Sequence, residues 1–136
     1  MSLPKGTRTH YLEDLEMKKI EAFEKAIENK IPNLREAGIN PTLFWAYRTL
    51  EETGNEKIDF NECIWEHEIE DIANCLKENG IYEFTISSTF SSLIETLAEF
   101  QKHGFQMAGL TEVKARYTEA FSNEKKRIPA IRMLRI

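Results

Sequence analysis

Apolar residues recur along this chain first at helical spacing and then, past residue 80, at the alternating spacing of strands. Leu12, Leu15, Ile20, Phe23 and Ile27 fall near one face of a helical period, with Glu and Lys between them, which predicts a helix over 12–29. Ile31-Pro32 stops it. Residues 1–11 show no periodicity and read as a flexible tail, and Asn33–Gly38 as a short turn of helix. Asn40-Pro41 marks the next start, with Asn as N-cap and Pro at the first helical position. That helix, Pro41–Thr53, carries Leu43, Phe44, Tyr47 and Leu50, and Gly54 can end it in a left-handed conformation. Lys57–Phe60 is a brief extended segment or a helix entry, and Asp59 with Glu62 has capping-box spacing. A long helix is expected from Asn61 to Asn79, burying Trp65, Ile69, Ile72, Ala73 and Leu76, with Gly80 just past its end.

In the next segment, Ile81–Ser88, the period changes to two: Phe84 and Ile86 point to one face, Thr85 and Ser87 to the other. Ser92-Leu93-Ile94-Glu95 reads as a capping box opening a helix to His103, with Leu93, Ile94, Leu97 and Phe100 as its stripe. Gly104 ends that helix. A strand follows from Phe105 to Tyr117, kinked at Gly109, then a polar loop over 118–127 and a last strand over Ile128–Ile136, with Pro129 at its start or edge. The helical crossover makes the first two of these strands parallel, and the loop makes the last one antiparallel to its predecessor. The expected fold is therefore α/β (α+β): a small mixed three-stranded sheet packed by helices. A helical part over 12–60 and an α/β part over 61–136 would form a single domain.

Composition is that of an ordinary globular protein, 41% hydrophobic and 30% charged over 136 residues. No window approaches the roughly 18 consecutive apolar residues of a membrane span, and the start of the chain lacks the apolar stretch of a signal peptide. A cytoplasmic location and no membrane partner are the expectation. Cys63 and Cys75, placed on one helix, would stand about 18 Å apart, too far for a disulfide. Charge is uneven: residues 1–100 hold 10 Lys and Arg against 20 Asp and Glu, and residues 101–136 hold 8 against 3. Such a split marks a basic surface or the mutual neutralisation of acidic helices and basic strands.

The order of Phe84–Ser87, Ser92–His103, Gly104-Phe105 and Ile128–Ile136 resembles the C-terminal strand, helix and hairpin of class I methyltransferases. The glycine-rich turn and the acidic residue that would hold S-adenosylmethionine have no counterpart in residues 1–60, so this resemblance implies architecture and no activity. Glu83-Phe84-Thr85-Ile86-Ser87-Ser88, followed by Leu93-Ile94 and Gly104-Phe105, also looks like small uncharacterised proteins of prophages and mobile elements in Gram-positive bacteria. That resemblance implies a bacterial source and carries no known chemistry.

Two groups could bind ligands. Thr85, Ser87, Ser88, Thr89, Ser91 and Ser92 precede a helix N-terminus, where hydroxyls and free N–H groups suit an anion. The same residue types also favour turns and caps for local reasons. The basic group is Lys114, Arg116, Lys125, Lys126, Arg127, Arg132 and Arg135; its first five members, near Tyr117 and Phe121, could track a nucleic-acid backbone. Cys63 and His67 have helix-face spacing, but two ligands make no metal site. No catalytic constellation, metal site or cofactor motif is legible. The expectation is a non-enzymatic accessory protein acting through an unknown protein partner or self-association. A small-anion binder at Ser87–Ser92 and a nucleic-acid binder are the alternatives.

Overall fold

The computed structural model describes residues 20–136. The tail expected over 1–11 and the first part of the helix expected over 12–29 lie outside the described residues. The elements are α1 (Glu21–Asn29), α2 (Pro41–Thr53), β1 (Asp59–Phe60), a short 3-10 turn (Glu66–Glu68) leading into α3 (Ile69–Glu78), β2 (Glu83–Ile86), α4 (Leu93–Lys102), β3 (Phe105–Thr118) and β4 (Lys125–Arg135). The class is mixed α and β, as the alternating pattern implies.

The sheet has four strands in the order β1-β2-β4-β3. β1 runs parallel to β2, and β4 is antiparallel to both of its neighbours. β2 and β3 therefore point the same way, as the crossover helix requires, but β4 is inserted between them. The additional strand, β1, is only two residues long, too short for an alternating pattern to declare itself.

One face of the sheet carries the core. Phe84 packs edge-on against Phe60 and Phe105, with ring centroids 5.4 and 5.2 Å apart, and lies 5.0 Å from Phe100 of α4. Ile86 and Met133 share this face and are buried. The N-terminal helices join the same cluster. Phe23 of α1 meets Phe44 and Tyr47 of α2 at 5.5 and 5.3 Å. The Tyr47 hydroxyl donates to Glu24 at 2.6 Å and accepts from the Ile20 N–H at 3.3 Å. Burial, and then the Glu24 carboxylate, push this phenol well above its ordinary pKa.

Helix α2 begins as its sequence dictates: Asn40 Oδ1 accepts from the Leu43 N–H at 2.9 Å, and Pro41 fills the first position. Gly54, at φ +75°, closes it. The expected helix over 61–79 is shorter. Residues 61–65 are not helical, Trp65 is 60% exposed rather than part of the buried stripe, and the helix proper starts at Ile69. The reason is Glu68. Its buried carboxylate lies 2.9 Å from the Thr42 hydroxyl through each oxygen and accepts from Asn40 at 3.4 Å and from the Trp65 N–H at 3.3 Å. It ties the start of α3 to the start of α2. Asp59 caps nothing; it sits in β1. Ser92 precedes α4 without a side-chain cap, so the expected capping box is absent there.

The terminal hairpin is longer than its sequence suggests, because β3 reaches Thr118 and β4 starts at Lys125. Gly109, at φ +107°, lies in an irregularity between Met107 and Leu110, where the expected kink occurs. Pro129 sits inside β4, opposite Glu112. It is tolerated because β2 pairs only with residues 131–134 of β4, leaving no strand on that side at Pro129.

Candidate functional site

The face of the sheet turned away from the core is polar across β1, β2 and Arg132, and gives way towards β3 to the buried Ala130 and Val113. In-register neighbours Asp59, Thr85 and Arg132 form one row across β1, β2 and β4. Asp59 is almost fully buried. Its two carboxylate oxygens accept from the Thr85 hydroxyl at 2.6 Å and the Ser87 hydroxyl at 2.5 Å. Burial raises its pKa, and the Ser87 and Thr85 hydrogen bonds oppose that rise. Beside this row, Glu83 pairs with both Lys57 and Arg132. Burial, and next the charge of Arg132, lower the Lys57 pKa.

A cleft of about 430 Å³ opens over Lys57, Glu83, Thr85 and Arg132, walled by Gly54–Lys57 and rimmed by β3 and β4. Its wall is held by Asn55, which bridges to the outer edge of β3. The Asn55 amide donates to the Lys114 carbonyl at 2.9 Å and accepts from the Lys114 N–H at 2.8 Å. Helix α2 touches both edge strands, β1 and β3, so the wall crosses the polar face from one edge to the other.

The hydroxyl-rich turn does not converge on one point. Thr85 and Ser87 serve Asp59, and Ser88 donates to the Glu62 carbonyl at 2.9 Å. Thr89, Ser91 and Ser92 face solvent. The basic group is also dispersed. Arg116 pairs with Glu52 and stacks on Trp45 at 4.7 Å, and Arg127 pairs with Glu112. Lys125 donates to the Arg116 carbonyl at 2.8 Å, Lys126 lies 6.0 Å from the Tyr117 ring, and Lys114 reaches back over Gly54. Cys63 falls outside any helix, so its expected helix-face pairing with His67 is lost. Among the described residues no group of three or more His, Cys, Asp or Glu could hold a metal, and no helix is long and apolar enough to cross a membrane.

Sequence reasoning missed Lys57 and Glu83, took Asp59 for a helix cap, and read Arg132 only as one of a basic group that the structure disperses. The available signal was the period-two recurrence of polar residues at 83, 85 and 87 opposite Phe84 and Ile86.

A family model for a domain of unknown function, DUF7698, matches residues 42–135, well over half of the chain. The chain belongs to the DUF7698 family. The DUF7698 match takes in every strand, the residues lining the cleft and nearly all of α2, and leaves out α1. No curated protein and no solved structure gives a significant match.

A second surface lies on the outer edge of β3. Lys114 turns its N–H and C=O outward to Asn55, so by strand alternation Glu112 and Leu110 also point outward. Beyond the irregularity, Gly104 faces β4 by accepting from Ile136 at 2.8 Å, which turns Met107 outward. Among the described residues the backbone groups of Met107, Leu110 and Glu112 on this edge have no partner. Met107 is 58% exposed, Leu110 77%, and Ile94 of the neighbouring α4 79%.

Proposed function

We propose that this protein is a non-enzymatic accessory protein that acts through protein contacts, with the outer edge of β3 as the contact and a second copy of the chain as the partner. The observation that carries this reading is the open edge over 107–112 with Met107 and Leu110 exposed on it. Edge strands are ordinarily short, charged or covered, because open N–H and C=O groups pair with other chains. An antiparallel edge is self-complementary about a two-fold axis, so two copies would form one continuous sheet. Fully burying each apolar side chain contributes about 1.5–3 kcal/mol, against an association cost of about 4–15 kcal/mol. The association is accordingly weak, as for other transient contacts of small area, with a dissociation constant of about micromolar or weaker. The free thiols of Cys63 and Cys75 fit a cytoplasmic setting, and a bacterial mobile-element source fits an accessory role.

Sedimentation equilibrium tests the proposal over about 1 μM to 1 mM, a range that brackets such affinities. The wild type should pass from monomer to dimer, and Leu110→Lys should remain monomeric. A wild type monomeric throughout, or an unimpaired Leu110→Lys dimer, would overturn it.

A further inference from the structure

We propose that the cleft on the polar face binds a small hydroxylated monocarboxylate, with the guanidinium of Arg132 as its principal anchor. This inference is independent of the β3 contact. The cleft volume of about 430 Å³ is that of a small-molecule site. Arg132 spends its Nε–H on Glu83. Among the described residues its terminal nitrogens have no acceptor, and the side chain is half-exposed where it lines the cleft. A guanidinium fork matches a carboxylate through two parallel hydrogen bonds.

Charge selects a monoanion. Lys57 and Arg132 share one lining carboxylate, Glu83, and Asp59 in the same row lies buried beneath the lining, where burial favours its neutral acid, so one positive charge is left on the floor of the cleft. On the rim Glu112 is paired with Arg127, and Glu56 offsets Lys114 in number, so the surplus over the whole lining is again one. A phosphate dianion would be left half-compensated in a partly desolvated site. The body of the ligand would lie over Thr85 and Thr111. The Thr85 proton is committed to Asp59, so its oxygen can accept from a ligand hydroxyl, and the Thr111 hydroxyl can donate or accept.

The test is a nuclear magnetic resonance titration of the full chain at about pH 8, where inorganic phosphate is chiefly the dianion, with gluconate, acetate and inorganic phosphate, following the Arg132 Nε–H and the Thr111 amide. Gluconate should shift both signals saturably, acetate should do so more weakly, and phosphate should leave them unmoved. Arg132→Lys keeps the charge and loses the fork, so it should weaken gluconate by about tenfold or more, the equivalent of 1.4 kcal/mol. Arg132→Gln should abolish binding. If Arg132→Gln loses its dispersed spectrum, Lys57→Gln carries the test, with weaker gluconate binding expected. The proposal is overturned if no carboxylate shifts these signals, if phosphate binds as tightly, or if Arg132→Lys or Lys57→Gln binds gluconate unchanged.

Discussion

Asp59 brings together a carboxylate, two hydroxyls and almost no water. Burial favours the neutral acid, and the donated hydrogen bonds from Ser87 and Thr85 favour the anion; burial is the larger effect, so the folded pKa is raised. The folded chain therefore holds this proton to higher pH than the unfolded chain does. Its contribution to stability is complete below the unfolded value of about 3.9 and is lost as pH rises through the folded value. Urea denaturation of wild type and Asp59→Asn at stepped pH should show the wild type losing stability relative to the variant across that window. Parallel pH profiles would refute the assignment. Glu68 is a second buried carboxylate, held by the Asn40 amide, the Thr42 hydroxyl and the Trp65 N–H. Glu68→Ala removes the acceptor these half-exposed donors share at the start of α2 and should cost about 1–3 kcal/mol by urea denaturation, while Glu68→Gln, which keeps one acceptor, should cost less.

Among the elements, the 54–57 wall depends on two local devices. Gly54 adopts φ +75°, so Gly54→Ala should cost about 1 kcal/mol from the left-handed backbone alone. Asn55 acts as a one-residue strand on the edge of β3. Asn55→Ala should speed hydrogen exchange at the Lys114 amide and lower stability by about 1–2 kcal/mol for the two bonds lost. An unchanged Lys114 exchange rate would show that the bridge does not hold in solution. The same segment shows where the sequence is readable. Asn40-Pro41 and Gly54 bound α2 correctly because caps are local chemistry, and Phe84/Ile86 against Thr85/Ser87 declare both faces of β2. β1 was legible only as an extended segment or a helix entry over 57–60, because two residues carry no period and its pairing with β2 is a non-local event. The start of α3 was misplaced because Glu68 is fixed by Thr42, 26 positions earlier. The cleft was illegible for the same reason, since Lys57, Glu83 and Arg132 meet only once β4 inserts beside β2.

Across the whole molecule, stability is unevenly distributed. One contiguous core joins α1, α2, β1, α3, β2, α4, the first residue of β3 and Met133 of β4, with Phe23, Phe60, Phe84, Phe100 and Phe105 among its members. The hairpin leaves that core as it lengthens: from Arg116 to Glu124 every residue is exposed, and its tip places Phe121 at φ +61° with its ring in solvent. Past Ala115 this arm is held by its own ladder, the Glu119–Glu124 backbone bond and the Arg116 contacts with Glu52 and Trp45. A segment with few buried contacts opens locally at a small fraction of the global unfolding free energy. Trypsin in the native state should therefore make its first cut among the described residues after Lys125, Lys126 or Arg127. The nicked protein should keep its cooperative unfolding transition, because the aromatic core lies wholly in the larger fragment and the short C-terminal fragment stays docked through Met133 and the β2–β4 ladder over 131–134. Mass spectrometry of the first fragments reads the outcome. First cleavage at Lys25 or Lys30 instead would mean that α1, not the arm, is the least stable described element, and that the packing of Phe23 against Phe44 and Tyr47 contributes less than its burial implies.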